Sequence, residues 1–255
     1  MFAAFAQEKL PFTKGVNLAN YFEYWGGQPG ALPPMNKYDE VDFVCLKSMG
    51  VDVIRLPISF DILTDDEFGA GKIYEPVLKK LDEVCDWAEK NQIYLIIDNH
   101  NNQKFDKQGK QNDFDILEAQ LNSVWSQIAP RYANRSDYII YEIMNEPNGL
   151  SASKWYKLQQ KLIDVIRTHD TKHSIVVSGI NWSNITELTN LKPYNDENLI
   201  YTFHFYEPML FTHQGAAWVG KGMANTSDIP FPYERARMPK LNKAAASDGW
   251  VQSMY

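Results

Sequence analysis

At 255 residues, 44% hydrophobic and 22% charged, the chain has the composition of an ordinary globular protein. Folding at this length buries roughly 70–75% of the unfolded surface, enough for one large core without disulfide or metal staples. A net charge of -7 with no Lys/Arg cluster argues against a nucleic-acid partner. No apolar run approaches the ~20 residues of a membrane span, so no membrane partner is expected.

Residues 1–11 form an N-terminal segment in which Ala4-Phe5-Ala6 fits an A-x-A cleavage site. It lacks a basic start and a full apolar region, so it reads either as the remnant of an export signal or as an ordinary short segment. The expectation is a secreted or periplasmic protein. Residues 14–18 (KGVNL) read as a short first strand. The loop 21–34 follows, with Trp25, three Gly and three Pro. A helix is predicted over 37–49, with Val41, Val44, Cys45 and Met49 at helical spacing and Gly50 as its stop. Strand two spans 51–58 (VDVIRLPI). A helix then begins near Pro76, with Val77, Leu81, Val84, Cys85 and Ala88 on one face. The two cysteines, Cys45 and Cys85, are read as buried free thiols on these two helices.

Strand three covers 93–98 and runs into Asn99-His100-Asn101-Asn102. Asn112-Asp113 caps a helix that buries Phe114, Leu117, Leu121, Val124, Trp125 and Ile128. Residues 138–149 (YIIYEIMNEPNG) carry the strongest signal in the chain. A β-favouring run leads into Asn145-Glu146-Pro147, and Pro147 cannot donate to a sheet ladder. The strand therefore ends there, with Asn145 and Glu146 at its carboxyl end. A helix over 153–168 presents Trp155, Leu158, Leu162, Val165 and Ile166. Strand five follows at 174–178. Strand six spans 199–203, with His204 and Tyr206 just beyond. Strands and helices thus alternate six times, which predicts βα units and a parallel sheet. From 215 to 255 the rhythm is lost apart from a short helical candidate near 240–246. The chain divides into a segment 1–11, a βα region 12–214, and an irregular tail 215–255 of the same domain.

If the strands are parallel, the groups at their carboxyl ends meet on one rim. Those groups are Arg55 in strand two, His100 after strand three, and Asn145 and Glu146 after strand four. Asn181 and Trp182 follow strand five, and His204 and Tyr206 follow strand six. Arg55 has a structural alternative, pairing with an interior carboxylate such as Glu142. His100 and His204 could equally be satisfied histidines at a sheet edge. Trp25, Trp182 and Trp218 lie in loops and suit stacking on sugar rings, or could cap the core. Trp87, Trp125 and Trp155 fit core positions, and His169 and His173 are placed in solvent at a helix end. No Gly-rich phosphate loop, G-x-S-x-G elbow or helical H-E-x-x-H occurs. No cofactor and no metal are expected.

The ordered segments VDVIRLPI, LIIDNHN, YEIMNEPNG, SGINWSN and YTFHFYEP resemble glycoside hydrolase family 5, the cellulase family of clan A. The opening KGVNLANYFE is similar to that family's first-strand segment, and the likeness covers roughly residues 12–220. The resemblance implies an α/β fold of the (β/α)8 TIM-barrel type. It also implies a polysaccharide substrate, a β-1,4-glucan or the related mannan and mixed-linkage glucan, cleaved with retention. In this likeness Glu146 matches the acid/base and Asn145 the neighbour that holds the sugar 2-hydroxyl. Arg55, His100, His204 and Tyr206 match positions lining the site.

A retaining glycosidase needs a second carboxyl about 5–5.5 Å from the first. The family's nucleophile, a Glu ending strand seven, has no counterpart here. Beyond Tyr206 the acidic residues are Glu207, Asp228, Glu234 and Asp248. Glu142 lies four residues before Glu146, about 13 Å along a strand. Only Glu207 remains, as base of an inverting route. The expectation is an incomplete barrel of about six βα units, with strands seven and eight not evident. The tail, or a second copy in a homodimer, would cover its open edges. Beside an endo-β-1,4-glucanase stands a second function, a catalytically impaired glycan-binding protein on the same fold.

Overall fold

A computed structural model describes residues 10–23, 32–100 and 111–255. Ala4-Phe5-Ala6, Trp25, Asn101 and Asn102 lie outside the described residues. The chain divides into two compact units, with the boundary in sequence between Phe203 and His204.

The first unit is a six-stranded parallel sheet whose strands follow one another in chain order. They are β1 (Gly15–Asn17), β2 (Val53–Ile58), β3 (Tyr94–Asn99), β4 (Ile139–Glu142), β5 (Ser174–Ser178) and β6 (Leu199–Thr202). Four long helices alternate with them: α1 (Glu40–Ser48), α2 (Glu75–Lys90), α3 (Gln111–Tyr132) and α4 (Ala152–Arg167). This is an open, incomplete (β/α)8-type sheet: the parallel βα units are those the alternation predicts, and the barrel type is the one the family resemblance implies. Among the described residues, β1 and β6 each have a strand on one side only.

Side chains alternate across a strand, and here the two faces do different work. Ile54, Leu56 and Ile58 of β2 join Leu95 and Ile97 of β3, Ile139 and Tyr141 of β4, and Ile175 and Val177 of β5. All pack with Leu81, Val84, Leu121, Trp125, Leu158 and Leu162 in one core between sheet and helices. The positions between them, Arg55, Asp98 and Glu142, have the opposite parity and stay out of that core. Two indoles fix the height at which strands end. Trp125 Nε1 donates to the Ile143 carbonyl at 3.1 Å, and Trp155 Nε1 donates to the Ser178 carbonyl at 3.0 Å. Gln159 holds Ser178 from both sides, accepting its N–H and donating to its carbonyl. The core thereby sets the position of the loops that follow β4 and β5.

Two expectations are corrected. Val41, Val44, Cys45 and Met49 do not form the buried face of α1; all four are exposed, and Phe43 is buried instead. Apolar residues lie on both sides of this helix, so spacing cannot choose its inner face, and the Phe43 ring packs edge-on to Trp87. Cys85 is buried as expected. His173 is not solvated but fully buried. Its ring bridges Asp170 Oδ2 at 2.5 Å and the Ser136 carbonyl at 2.8 Å. The Tyr141 hydroxyl donates to the same Asp170 oxygen at 2.8 Å. Arg167 donates to the carbonyls of Asp170 and His173, closing the knot beneath β4 and β5.

Burial pushes the Asp170 carboxyl up, but hydrogen bonds from His173, Tyr141 and the local backbone outweigh it and hold it well below the usual carboxylate range. A depressed carboxyl stabilises the fold above its unfolded value of about 3.9 and loses that contribution as pH falls toward the folded value. Asp170→Asn is therefore expected to cost about 3–5 kcal/mol at pH 7. Urea unfolding at pH 7 and below about pH 4 checks this, since the gap to wild type should narrow in acid. An unchanged midpoint at pH 7 would remove Asp170 from the fold's supports.

The second unit, from His204 to Tyr255, packs short helices Met209–Thr212, Lys243–Ala246 and Gly249–Met254 around its own cluster. That cluster comprises Leu210, Ala216, Met223, Ile229, Ala245 and Val251. Asn242 and Asp248 cap its last two helices through their side-chain oxygens. No helix among the described residues is long and apolar enough to cross a membrane.

Candidate active site

The polar face of the first unit is built around one guanidinium. Arg55 sits mid-strand on β2 and makes a two-pronged pair with Glu142 of β4, Nε to Oε2 at 2.6 Å and Nη2 to Oε1 at 2.8 Å. Nη2 also lies 2.9 Å from Asp98 Oδ2 on β3 and 2.9 Å from Asn145 Oδ1. Nη1 donates to Asn17 Oδ1 on β1 at 3.2 Å. One side chain thus ties four adjacent strands together. Asp98 and Glu142 stand opposite each other in the β3–β4 register, which is why a single arginine reaches both. Burial works against the Arg55 charge, but Glu142, Asp98 and Glu146 outweigh it, and the guanidinium is held cationic.

Asn145 is nearly buried and its backbone N–H donates to the Asn99 carbonyl at 3.0 Å. Its Oδ1 accepts from Arg55, so the amide is oriented with its NH2 as the remaining polar group, a donor suited to a hydroxyl oxygen. Strand alternation would send Asn145 and Glu146 to opposite faces. Glu146 instead has φ of 42°, a left-handed turn that breaks the alternation. The Glu146 charge is among those that favour the Arg55 cation, after Glu142 and Asp98. Glu146 is half-buried.

The loop after β5 is tied to the same turn. Trp182 N–H donates to the Pro147 carbonyl at 3.2 Å. Asn181, Trp182 and Ser183 all have φ between 55° and 58°, an uncommon run for residues with side chains. The Ser183 hydroxyl anchors it on Ser178 Oγ at 3.1 Å. The indole of Trp182 is left 58% exposed, presenting an aromatic face beside the Asn-Glu turn.

His100 follows β3, and its N–H donates to the Ile58 carbonyl at 2.8 Å. Its Nδ1 lies 2.7 Å from Asp98 Oδ2, and its Nε2 lies 3.5 Å from Glu23 Oε1. Glu23, just past β1, is itself buried and accepts the Asn20 N–H.

Residues 12–251 match the profile of the Cellulase family, glycosyl hydrolase family 5. The chain belongs to glycosyl hydrolase family 5. Endoglucanase 3 of Fibrobacter succinogenes is 33% identical over 239 residues, 88% of this chain and 35% of that protein. Endoglucanase C of Acetivibrio thermocellus is 29% identical over 228 residues, 88% of this chain and 66% of that protein. Among solved structures, the cellulose synthase subunit Z of Clostridioides difficile superposes with a TM-score of 0.76 at 27% identity. The match covers 89% of this chain and 71% of that one. Thermotoga maritima Cel5A in complex with cellobiose gives a TM-score of 0.73 at 29% identity, over 87% of this chain and 70% of that one. The chain thus spans about a third of the first relative and about two-thirds of the second.

Of the family-5 positions singled out in the sequence, the structure brings Arg55, His100 and Asn145 into one bonded network, with Glu146 and Trp182 on the turn beside it. The structural pairing of Arg55 with Glu142 and its contact with Asn145 are both present, so the two readings of Arg55 are not exclusive. His204, Tyr206, Glu207 and Trp218 belong to the second unit. There the Tyr206 ring packs edge-on against His213 at 5.0 Å, and Glu207 Oε2 accepts the Met209 N–H at 3.2 Å. Trp218 is 85% exposed. Sequence reasoning missed Asp98 and Glu23. The two-residue spacing of Asp98 and His100 was the available signal, because it puts both on one face of a strand.

Proposed function

We propose that this chain carries the proton-donor side of an endo-β-1,4-glucanase, with a β-glucan as substrate. The observation behind it is the Asn145–Glu146 turn, held at the carboxyl end of β4 by the Arg55 guanidinium. In this reading Glu146 protonates the departing glycosidic oxygen and Asn145 Nδ2 donates to the sugar 2-hydroxyl. Trp182 offers its exposed face to a sugar ring. Cellobiose and mannotriose both appear in complexes of Thermotoga maritima Cel5A, which supports a test panel of glucan and mannan.

A second reading, glycan binding without turnover, is favoured by the strand count. Six strands are present among the described residues, whereas the family resemblance puts the nucleophile on a seventh. Losing one member of a catalytic unit costs on the order of 10⁴–10⁶ in rate. Reducing-end release from carboxymethylcellulose, run beside calorimetric binding of cellotetraose, separates the two. Release above background supports the hydrolase; binding alone supports the second reading; neither would dismiss both.

Assembly is part of the proposal. β1 and β6 offer unpaired backbone edges among the described residues, and Val41, Val44 and Met49 expose apolar surface on α1. A second copy covering these features makes a homodimer. Light scattering at micromolar concentration is expected to give twice the 29.4 kDa chain mass, and a monomer would remove the dimer.

A further inference from the structure

We infer that Ser183 is a positioning residue. Its hydroxyl, bonded to Ser178, locks a strained loop that carries the Trp182 indole beside the Asn145–Glu146 turn. The inference rests on the glucan-site reading above for what the indole meets, not for how the loop is held. Asn181, Trp182 and Ser183 lie in succession in the left-handed region, with φ of 58°, 58° and 55°. Each such residue with a side chain costs energy, and the conformation persists only where neighbouring contacts compensate for it. Burial of the indole supplies little of that, because Trp182 stays 58% exposed. Ser183 turns the other way and is buried. The run therefore sends a hydroxyl inward and an aromatic ring outward.

Neighbouring elements hold the run in place. From β5, Ser178 Oγ accepts the Ser183 hydroxyl at 3.1 Å, and both side chains are buried. Ser178 is itself fixed through its backbone, its N–H on Gln159 and its carbonyl accepting from Trp155 and Gln159. From the turn after β4, the Pro147 carbonyl accepts the Trp182 N–H at 3.2 Å. From the short helix Ile185–Asn190, Glu187 Oε1 accepts from Asn181 Nδ2 at 3.2 Å. That helix lies close against Gly179, where an added Cβ would stand 2.5 Å from the Leu188 backbone nitrogen. Tyr156 of α4 steadies it, donating to the Glu187 carbonyl at 2.8 Å. The Asn181 bond is exposed, whereas the serine pair is shielded from water that would compete for it. A ring held in advance loses little freedom when a sugar stacks on it. The Pro147 bond then keeps that sugar in register with the Glu146 turn. Ser183 acts through Trp182 and need not touch the sugar.

The first test needs no sugar. Indole ¹H–¹⁵N spectra of the full chain report its seven tryptophans, and a Trp182→Phe variant assigns the signal of interest. In Ser183→Ala that signal is expected to split or to show a lower heteronuclear NOE, because the ring gains freedom. Ser178→Ala cuts the same bond from the strand side and is expected to do the same. The Trp125 indole, bonded to the Ile143 carbonyl, should stay as ordered as in wild type. A Trp182 ring that keeps its order in both variants overturns the inference. Should Ser183→Ala fail to fold, Ser178→Ala decides alone.

Calorimetry with cellotetraose supplies the second test, as a double-mutant cycle. Ser183→Ala is expected to weaken binding roughly three- to tenfold, the scale of one aromatic contact. In a Trp182→Ala background the same substitution should change affinity by less than about twofold, since the group it positions is gone. A serine serving only the general fold would cost the same in both backgrounds. Equal losses would therefore overturn the inference, as would no loss in either. Loss of order at Trp182 with no cellotetraose binding by any form would uphold the tether and overturn the glucan-site reading.

Discussion

Glu146→Gln is expected to reduce reducing-end release from carboxymethylcellulose by about 10²–10⁴-fold, the usual range for loss of a positioned general acid. Glutamine keeps the shape of the side chain and its capacity to accept a hydrogen bond, but it has no proton to give to a departing oxygen. Affinity for cellotetraose should stay within a few-fold, because Asn145, Arg55 and the exposed Trp182 ring are untouched. The Asn145–Glu146 turn also constrains what can be substituted. With φ of 42° at Glu146, a β-branched replacement would strain the backbone and confuse loss of chemistry with loss of fold. Equal rates for wild type and Glu146→Gln would mean that any hydrolysis seen owes nothing to this carboxyl. An aryl cellobioside with a good leaving group should suffer less from the substitution than the polymer, since its departure needs less protonation.

The second large effect belongs to Arg55. Replacing it with Met keeps most of the side-chain volume but leaves Asp98 and Glu142, both nearly buried, facing each other across adjacent strands. Breaking a buried pair from one side typically costs 3–5 kcal/mol, because the surviving carboxylates lose the guanidinium that compensates their burial. The variant is therefore expected to unfold at much lower urea, and its defect should shrink on acidification. The sign follows from Asp98. Burial and the Glu142 charge push its carboxyl up, and Arg55 pulls it back. Without Arg55 it rises further, the folded state holds protons that the unfolded state does not, and stability falls as pH rises. The double variant Arg55→Met with Glu142→Gln should recover part of the loss, by removing the like charge. If the single and double variants were equally unstable, repulsion between the carboxylates would not be the cause. Asn145 would also lose the donor that orients its amide, so sugar affinity should fall alongside stability.

Much of this could be read along the chain. The βα rhythm was legible because β2 to β5 are short apolar runs and α2 and α4 each carry one clear apolar stripe. The stretch around Asn145–Glu146 was legible from its sequence, but β4 closes at Glu142, short of the end that Pro147 marks, so the two residues sit on the turn beyond it. What escaped was set by partners distant in sequence. The inner face of α1 was misread because Val41 and Val44 compete with Phe43 for it, and only packing against Trp87 decides. His173 was misread because its burial depends on Tyr141 and Ser136, some 30 or more residues away in sequence. Asp98 and Glu23 were passed over because nothing local marks a carboxylate that serves another strand's side chain. The left-handed run at Asn181–Ser183 leaves no compositional trace, as none of the three is glycine.

The order of the strands has a consequence for how the chain acquires its structure. Each strand pairs with the one made just before it, and no strand inserts between two earlier ones. The loops closed at each step are therefore those of single βα units, so the entropic penalty of pairing stays nearly constant along the chain. Such a sheet can lengthen from its N-terminal side while synthesis continues, each new strand adding to an edge already formed. At every stage the growing edge is the newest strand, and a pause in translation leaves that edge as the surface most open to wrong pairing.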